Sequence, residues 1–132
     1  MAETLLPQIQ SPEARIAVIE AVLALFARWR LHDINQAQLL GVEDIAILKN
    51  QKTGKVASAV LTRAGNLLAI DRALNRYYAY QPRVCDQWIS SPQEQLTGAT
   101  PLAVMLKDGN RGIRKIRDLV ESQLGITKYN RA

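Results

Sequence analysis

Apolar residues recur at three- and four-residue intervals along most of this chain and nowhere alternate with polar ones over the length of a strand, which restricts it to a helical fold. The first stretch shows the rule most fully. Ser11 offers a hydroxyl to free amides, Pro12 has no amide to leave unpaired, and Glu13 sits at the positive end of the helix dipole. Ile16, Ile19, Leu23, Phe26 and Trp29 then form one apolar face. Ala14, Ala17, Ala21 and Ala24 lie on the other side, small enough for a second helix to approach closely. The spacing predicts that this helix ends near Leu31. Ile16 to Ala27 is apolar apart from Glu20, but the run is too short to cross a bilayer and suits a buried helix.

The same punctuation divides the rest. Asn35 is expected to cap a helix from Gln36 to Leu40, which Gly41 stops. Glu43 and Asp44 open a third, running through Ile45, Ile47 and Leu48 to about Gln51 before Lys52, Thr53 and Gly54 break the pattern. A long helix is expected from Val56 to Tyr80, with Val60, Ala64, Leu67, Leu74 and Tyr78 on one stripe. Asp71 falls on that stripe, so it is either paired with an arginine such as Arg63 or Arg72, because a buried carboxylate must be compensated, or lies at the stripe's wet edge. Gln81 and Pro82 mark the best boundary, giving an N-terminal domain over residues 12–80 and a C-terminal one over 82–132. In the second, a short segment from Val84 to Ile89 leads to a loop and a helix over Pro101 to Lys107 capped by Thr100. A turn at Asp108, Gly109 and Asn110 precedes a last helix, Arg111 to Leu124, with Ile113, Ile116, Val120 and Leu124 inside and Gly125 as its stop. The expected fold is all-α, a helix-turn-helix-containing bundle followed by a small helical domain.

Composition narrows the chemistry. Of 132 residues, 48% are hydrophobic and 22% charged, and 17 Lys and Arg against 12 Asp and Glu leave a net charge of +5, which favours an anionic partner. Cys85 is the sole cysteine and His32 the sole histidine, so neither a multi-cysteine zinc site nor a paired-imidazole metal site is possible, and no cofactor is expected. The chain reads as a non-enzyme. The first fifteen residues lack the basic start and apolar run of a signal peptide, which points to the cytoplasm and away from a membrane. Thr53, Gly54 and Lys55 fail as a phosphate loop, since Lys49 stands where the earlier glycine belongs and Val56 where Ser or Thr should follow. His32 suits a helix end and Cys85 a packing position, while Tyr77, Tyr78 and Tyr80 fit either helix-end packing or an interface.

Gln36 to Asn50 has the outline of a helix-turn-helix: Ala37 where the helices cross, Gly41 in the turn, and Val42 and Ile47 holding the second helix to the first. On that reading Lys49, Lys52 and Lys55 neutralise phosphates and Asn50 and Gln51 reach adenine edges, whereas Glu43 and Asp44 repel the backbone. Paired half-sites and the two-sided first helix together predict a homo-oligomer. The more distinctive string is WISSPQEQLTGATPLAVMLKDG, which sets Trp88, Pro92, Gly98, Thr100, Pro101, Leu102 and Gly109 in order, with Gly112 next. As plain structure these are an aromatic anchor, a proline-bearing loop, a tight turn and a threonine-capped helix, and that role is sufficient for each.

The string resembles the C-terminal toxin-binding domain of the Xre/MbcA/ParS family of antitoxins: a tryptophan, a short proline-containing stretch, a glycine, Thr or Ser with Pro-Leu, and a further glycine before the last helix. An Xre-like helix-turn-helix and a long helix before that domain, as found from about Leu31 onward, are similar to the same family. The resemblance implies an antitoxin that binds and occludes a RES-type or related ADP-ribosyltransferase-like toxin, with the NAD chemistry on the toxin, and that represses its own operon through promoter DNA. It implies toxin contacts from the last helix and the tail, for which Arg111, Arg114, Lys115, Lys128, Tyr129, Asn130 and Arg131 are the candidates. By composition alone the tail reads as a solvated terminus. A stand-alone Xre-like transcriptional regulator and a helical assembly module remain the rival readings.

Overall fold

In the computed structural model, which describes residues 11–50 and 53–131 and the side chains as far as Gln123, the described residues form seven α-helices, one 3-10 turn and no strand. The fold is all-α, as the periodicity requires. The chain divides into two compact units, Met1–Gly65 and Asn66–Ala132.

In the first unit, α1 (Pro12–Arg28) begins as expected, the Ser11 hydroxyl accepting the Ala14 amide at 3.1 Å. It ends short of Leu31, because Arg30 takes a left-handed φ of 57° and the Leu31 amide turns back to the Phe26 carbonyl. Ile19, Val22, Leu25, Phe26 and Trp29 are buried, whereas Leu23 is only half-buried and Ala17, Ala21 and Ala24 are exposed. The buried stripe therefore lies one step round the helix from the face read off the sequence. α2 (Asp33–Leu40) starts three residues before Gln36, with His32 rather than Asn35 at its cap position. Gly41, at φ 74°, closes it as predicted. α3 (Ala46–Lys49) is a single turn packed on α1, with Ile45 and Leu48 buried. Ile47 does not hold it against α2: its side chain is 60% exposed.

The long helix α4 (Ser58–Tyr77) crosses the division at Gly65, and Val60, Ala64, Leu67 and Leu74 are buried as their spacing predicted. Arg63 is not the partner of Asp71; its guanidinium donates to the Gln38 and Leu39 carbonyls, and Asp71 accepts from Asn75 one turn on. In the second unit α5 (Pro82–Trp88) is a helix where only a short segment from Val84 to Ile89 was expected. A 3-10 turn (Glu94–Leu96), α6 (Pro101–Asp108) and α7 (Asn110–Arg131) follow. α6 packs on α7 over Met105, Ile113, Ile116 and Val120. α7 runs straight through Gly125, so that glycine is not the stop it resembled: its neighbours carry the helix to Arg131.

Candidate functional site

The stretch read from the sequence as a helix-turn-helix is built by α2 and α3. Arg63 lays a cation against the C-terminal carbonyls of α2, where the helix dipole is negative, and an added Cβ on Gly41 would meet that guanidinium at 3.1 Å. Lys49 is exposed, and its ammonium forms a surface ion pair with the Asp33 carboxylate at 3.1 Å. Asn50 is exposed at the end of α3, and Lys55 is exposed but already engaged. Gln51 and Lys52 lie outside the described residues. Glu43 and Asp44 are exposed, and Asp44 accepts the Ala46 amide at 2.9 Å to start the one-turn helix.

The C-terminal string forms one connected construction. Trp88 is buried and its indole N–H donates to the Tyr78 hydroxyl, which ties α5 to the end of the long helix. Burial raises the Tyr78 pKa above 10.0, with the neighbouring Tyr77 and Cys85 adding to the rise and the Trp88 bond opposing it. Pro92 is exposed and Gln93 bridges the loop, its amide nitrogen donating to the Ser91 carbonyl at 3.1 Å and its backbone N–H to Ala99. Gly98, at φ 88°, completes the turn, and the Thr100 hydroxyl accepts the Ala103 amide at 3.1 Å. Pro101 is buried in the first turn of α6, while the Leu102 side chain is only half-buried. The Leu102 backbone N–H donates to the Ile89 carbonyl at 2.8 Å.

Gly109, at φ 62° and ψ −137°, has backbone angles that a side chain would strain, and it swings the chain from α6 into α7. With Ile113, Ile116 and Val120 facing inward, three of the predicted toxin contacts are forced outward together. Arg111, Arg114 and Lys115 line one open cleft of about 510 Å³ with Asn110 and Asp118. Three cations against one carboxylate suit carboxylates or phosphates on a partner. The Asn110 side-chain Oδ1 is buried at this cleft with no hydrogen-bond partner among the described residues. The side chains of Lys128, Tyr129, Asn130 and Arg131 lie outside the described residues.

Sequence reasoning missed a second basic set, Arg72, Arg76 and Arg117, which shares a small cavity with Glu121. The four-residue spacings on each helix were visible, but not that the two helices bring them together. Among the described residues no group of three or more His, Cys, Asp or Glu could hold a metal, and no helix is long and apolar enough to cross a membrane.

No family model matches the chain. It is 31% identical over 118 residues to "Uncharacterized protein y4oB" of Sinorhizobium fredii (strain NBRC 101917 / NGR234), an overlap covering 87% of this chain and 91% of the relative.

Proposed function

We propose, from the premise that this chain belongs to the same family as the y4oB protein, that it is the antitoxin of a type II toxin–antitoxin pair. Its C-terminal region binds and occludes an NAD-using toxin of RES type or a related fold, and its N-terminal region contributes to repression of the shared operon. The observation that carries the reading is the string from Trp88 to Gly109. The string resembles the Xre/MbcA/ParS toxin-binding domain, and in it a buried tryptophan, a threonine-capped helix and a glycine turn lead to a helix that presents Arg111, Arg114 and Lys115 on one cleft.

The test is co-expression with the product of the adjacent reading frame, followed by co-purification and an assay of NAD consumption. The intact protein should bind that product and suppress NAD loss. Replacing Arg111, Arg114 and Lys115 together with Glu should weaken the complex and restore NAD consumption without altering the melting temperature. Full suppression by the triple variant at equal concentration overturns the assignment of the contact surface, and a neighbouring product without NAD-consuming activity overturns the reading as a whole.

A helical assembly module without DNA contact is the second reading. It is favoured by exposed Glu43 and Asp44 beside the turn of the helix-turn-helix and by the exposed apolar side chains of Ile34 and Ile47 on α2 and α3. Equal affinity for the chain's own promoter and a random duplex across a salt series would support it over repression.

A further inference from the structure

We infer that the cavity between α4 and α7, walled by Arg72, Arg76 and Arg117, is a binding site for a phosphate dianion such as a phosphomonoester carries. The cavity measures about 100 Å³, the room of about three water molecules or one tetrahedral oxyanion. Its floor is Ala69 and Ala73, whose methyl groups leave that space open where longer side chains would fill it.

The walls are arranged for an anion. Arg72 and Arg76 stand four residues apart on α4, so they share a face, and like charges at that spacing destabilise a helix unless something lies between them. Neither side chain makes a hydrogen bond or ion pair to another described residue. Arg117 comes from α7 and is held from two sides, its Nη1 donating to the Asn66 side-chain oxygen at 2.7 Å and its Nε to Glu121 at 3.3 Å. Those two bonds fix the guanidinium plane and leave its remaining nitrogen for a ligand, which is the pre-organisation that makes arginine an effective oxyanion receptor.

Charge selects among anions. Three guanidiniums and the Glu121 carboxylate leave two positive charges at the cavity, which a dianion neutralises and a phosphodiester monoanion does not. A monoester also needs only one exit for its ester oxygen, whereas a chain of diesters must enter and leave. The site therefore suits a free phosphate or a phosphomonoester better than a nucleic-acid backbone. It shares no residue with the cleft at Arg111, Arg114 and Lys115, and the inference stands apart from the antitoxin reading.

Calorimetric titration of the full chain at low ionic strength tests it with three probes: inorganic phosphate, adenosine 5′-monophosphate, and a short oligodeoxynucleotide without terminal phosphates. Phosphate and the monophosphate should each bind once per chain, and the oligonucleotide should not compete. The double variant R72Q/R76Q should weaken binding by about tenfold or more with an unchanged circular dichroism spectrum, since two charge-assisted contacts are lost. E121Q should tighten binding, because it removes the competing carboxylate while Asn66 still holds Arg117. No saturable binding up to about 10 mM phosphate, where even millimolar affinity would register, overturns the site, as does an R72Q/R76Q protein that binds like the parent. Competition by the oligonucleotide at equal phosphate concentration, or weaker binding by E121Q, overturns the dianion assignment.

Discussion

Gly112→Ala and Gly65→Ala place the same methyl group in two helices and should change stability in opposite directions. At Gly112, on the buried side of α7, the new Cβ would run into the Val104 carbonyl oxygen of α6 and approach both the Met105 Cα and the Asp108 Cβ at 3.1 Å. Two of these obstacles are backbone atoms, so no rotamer change relieves the contact and α6 must move away from α7. Overpacking of this kind costs about 1–3 kcal/mol. Against it stands the gain from replacing a helical glycine, at most about 1 kcal/mol and less so close to the start of a helix. The net expectation is a loss of about 1–2 kcal/mol, concentrated where Met105 meets Ile113 and Ile116. At Gly65 nothing lies within 4 Å of the added Cβ and the residue is exposed in mid-helix, so only the backbone term acts and stability should rise by about 0.5–1 kcal/mol. Urea unfolding at neutral pH, followed by circular dichroism, reads both. The two midpoints should move apart around the parent, with melting temperatures separating by roughly 5–10 °C. A Gly112→Ala protein as stable as the parent, or more so, would refute the argument that backbone proximity of α6 and α7 requires glycine there.

Three further outcomes follow from local geometry. Ala79 closes the long helix at φ 53°, with its amide bonded to Arg76 and that of Tyr80 to Asn75. Ala79→Gly should therefore add about 0.5–1 kcal/mol in the same unfolding assay, because relief of left-handed strain exceeds the added chain entropy. Tyr78 has a pKa raised above 10.0 by burial, so the folded state holds its phenolic proton more tightly than the unfolded chain does. That contribution is complete below pH 10 and is lost as pH rises through the folded value; the Tyr78→Phe protein should lack this part of the alkaline decline, at the cost of an unpaired Trp88 N–H worth about 1–3 kcal/mol at all pH values. Truncation after Gly125 removes the end of α7 rather than a separate tail, so it should lower the helical circular dichroism signal. An unchanged spectrum would contradict a helix that continues to Arg131.

Where a side-chain cap and a proline open a helix, as at Ser11 and Thr100, the start was legible in the sequence, because those groups are local. Ser11 and Thr100 each bond an amide three residues ahead, Pro12, Pro82 and Pro101 sit where no amide is needed, and Gly41 closes α2 by its own backbone freedom. The sequence also determined that Ile113, Ile116 and Val120 face inward, which sends Arg111, Arg114 and Lys115 outward by helical geometry alone. Helix ends and pairings were decided elsewhere. Arg30 and Ala79 take left-handed angles that residue type disfavours, Gly125 stays helical where its type suggests a stop, and Ile47 is left in solvent because Ile45 and Leu48 already fill the contact of a one-turn helix. The pairing of Lys49 with Asp33, of Arg63 with the end of α2, and of Arg117 with Asn66 joins residues 16, about 25 and 51 positions apart. No spacing rule along a helix reaches that far, so only the tertiary structure could pair Lys49 with Asp33 and gather Arg72, Arg76 and Arg117 around one cavity.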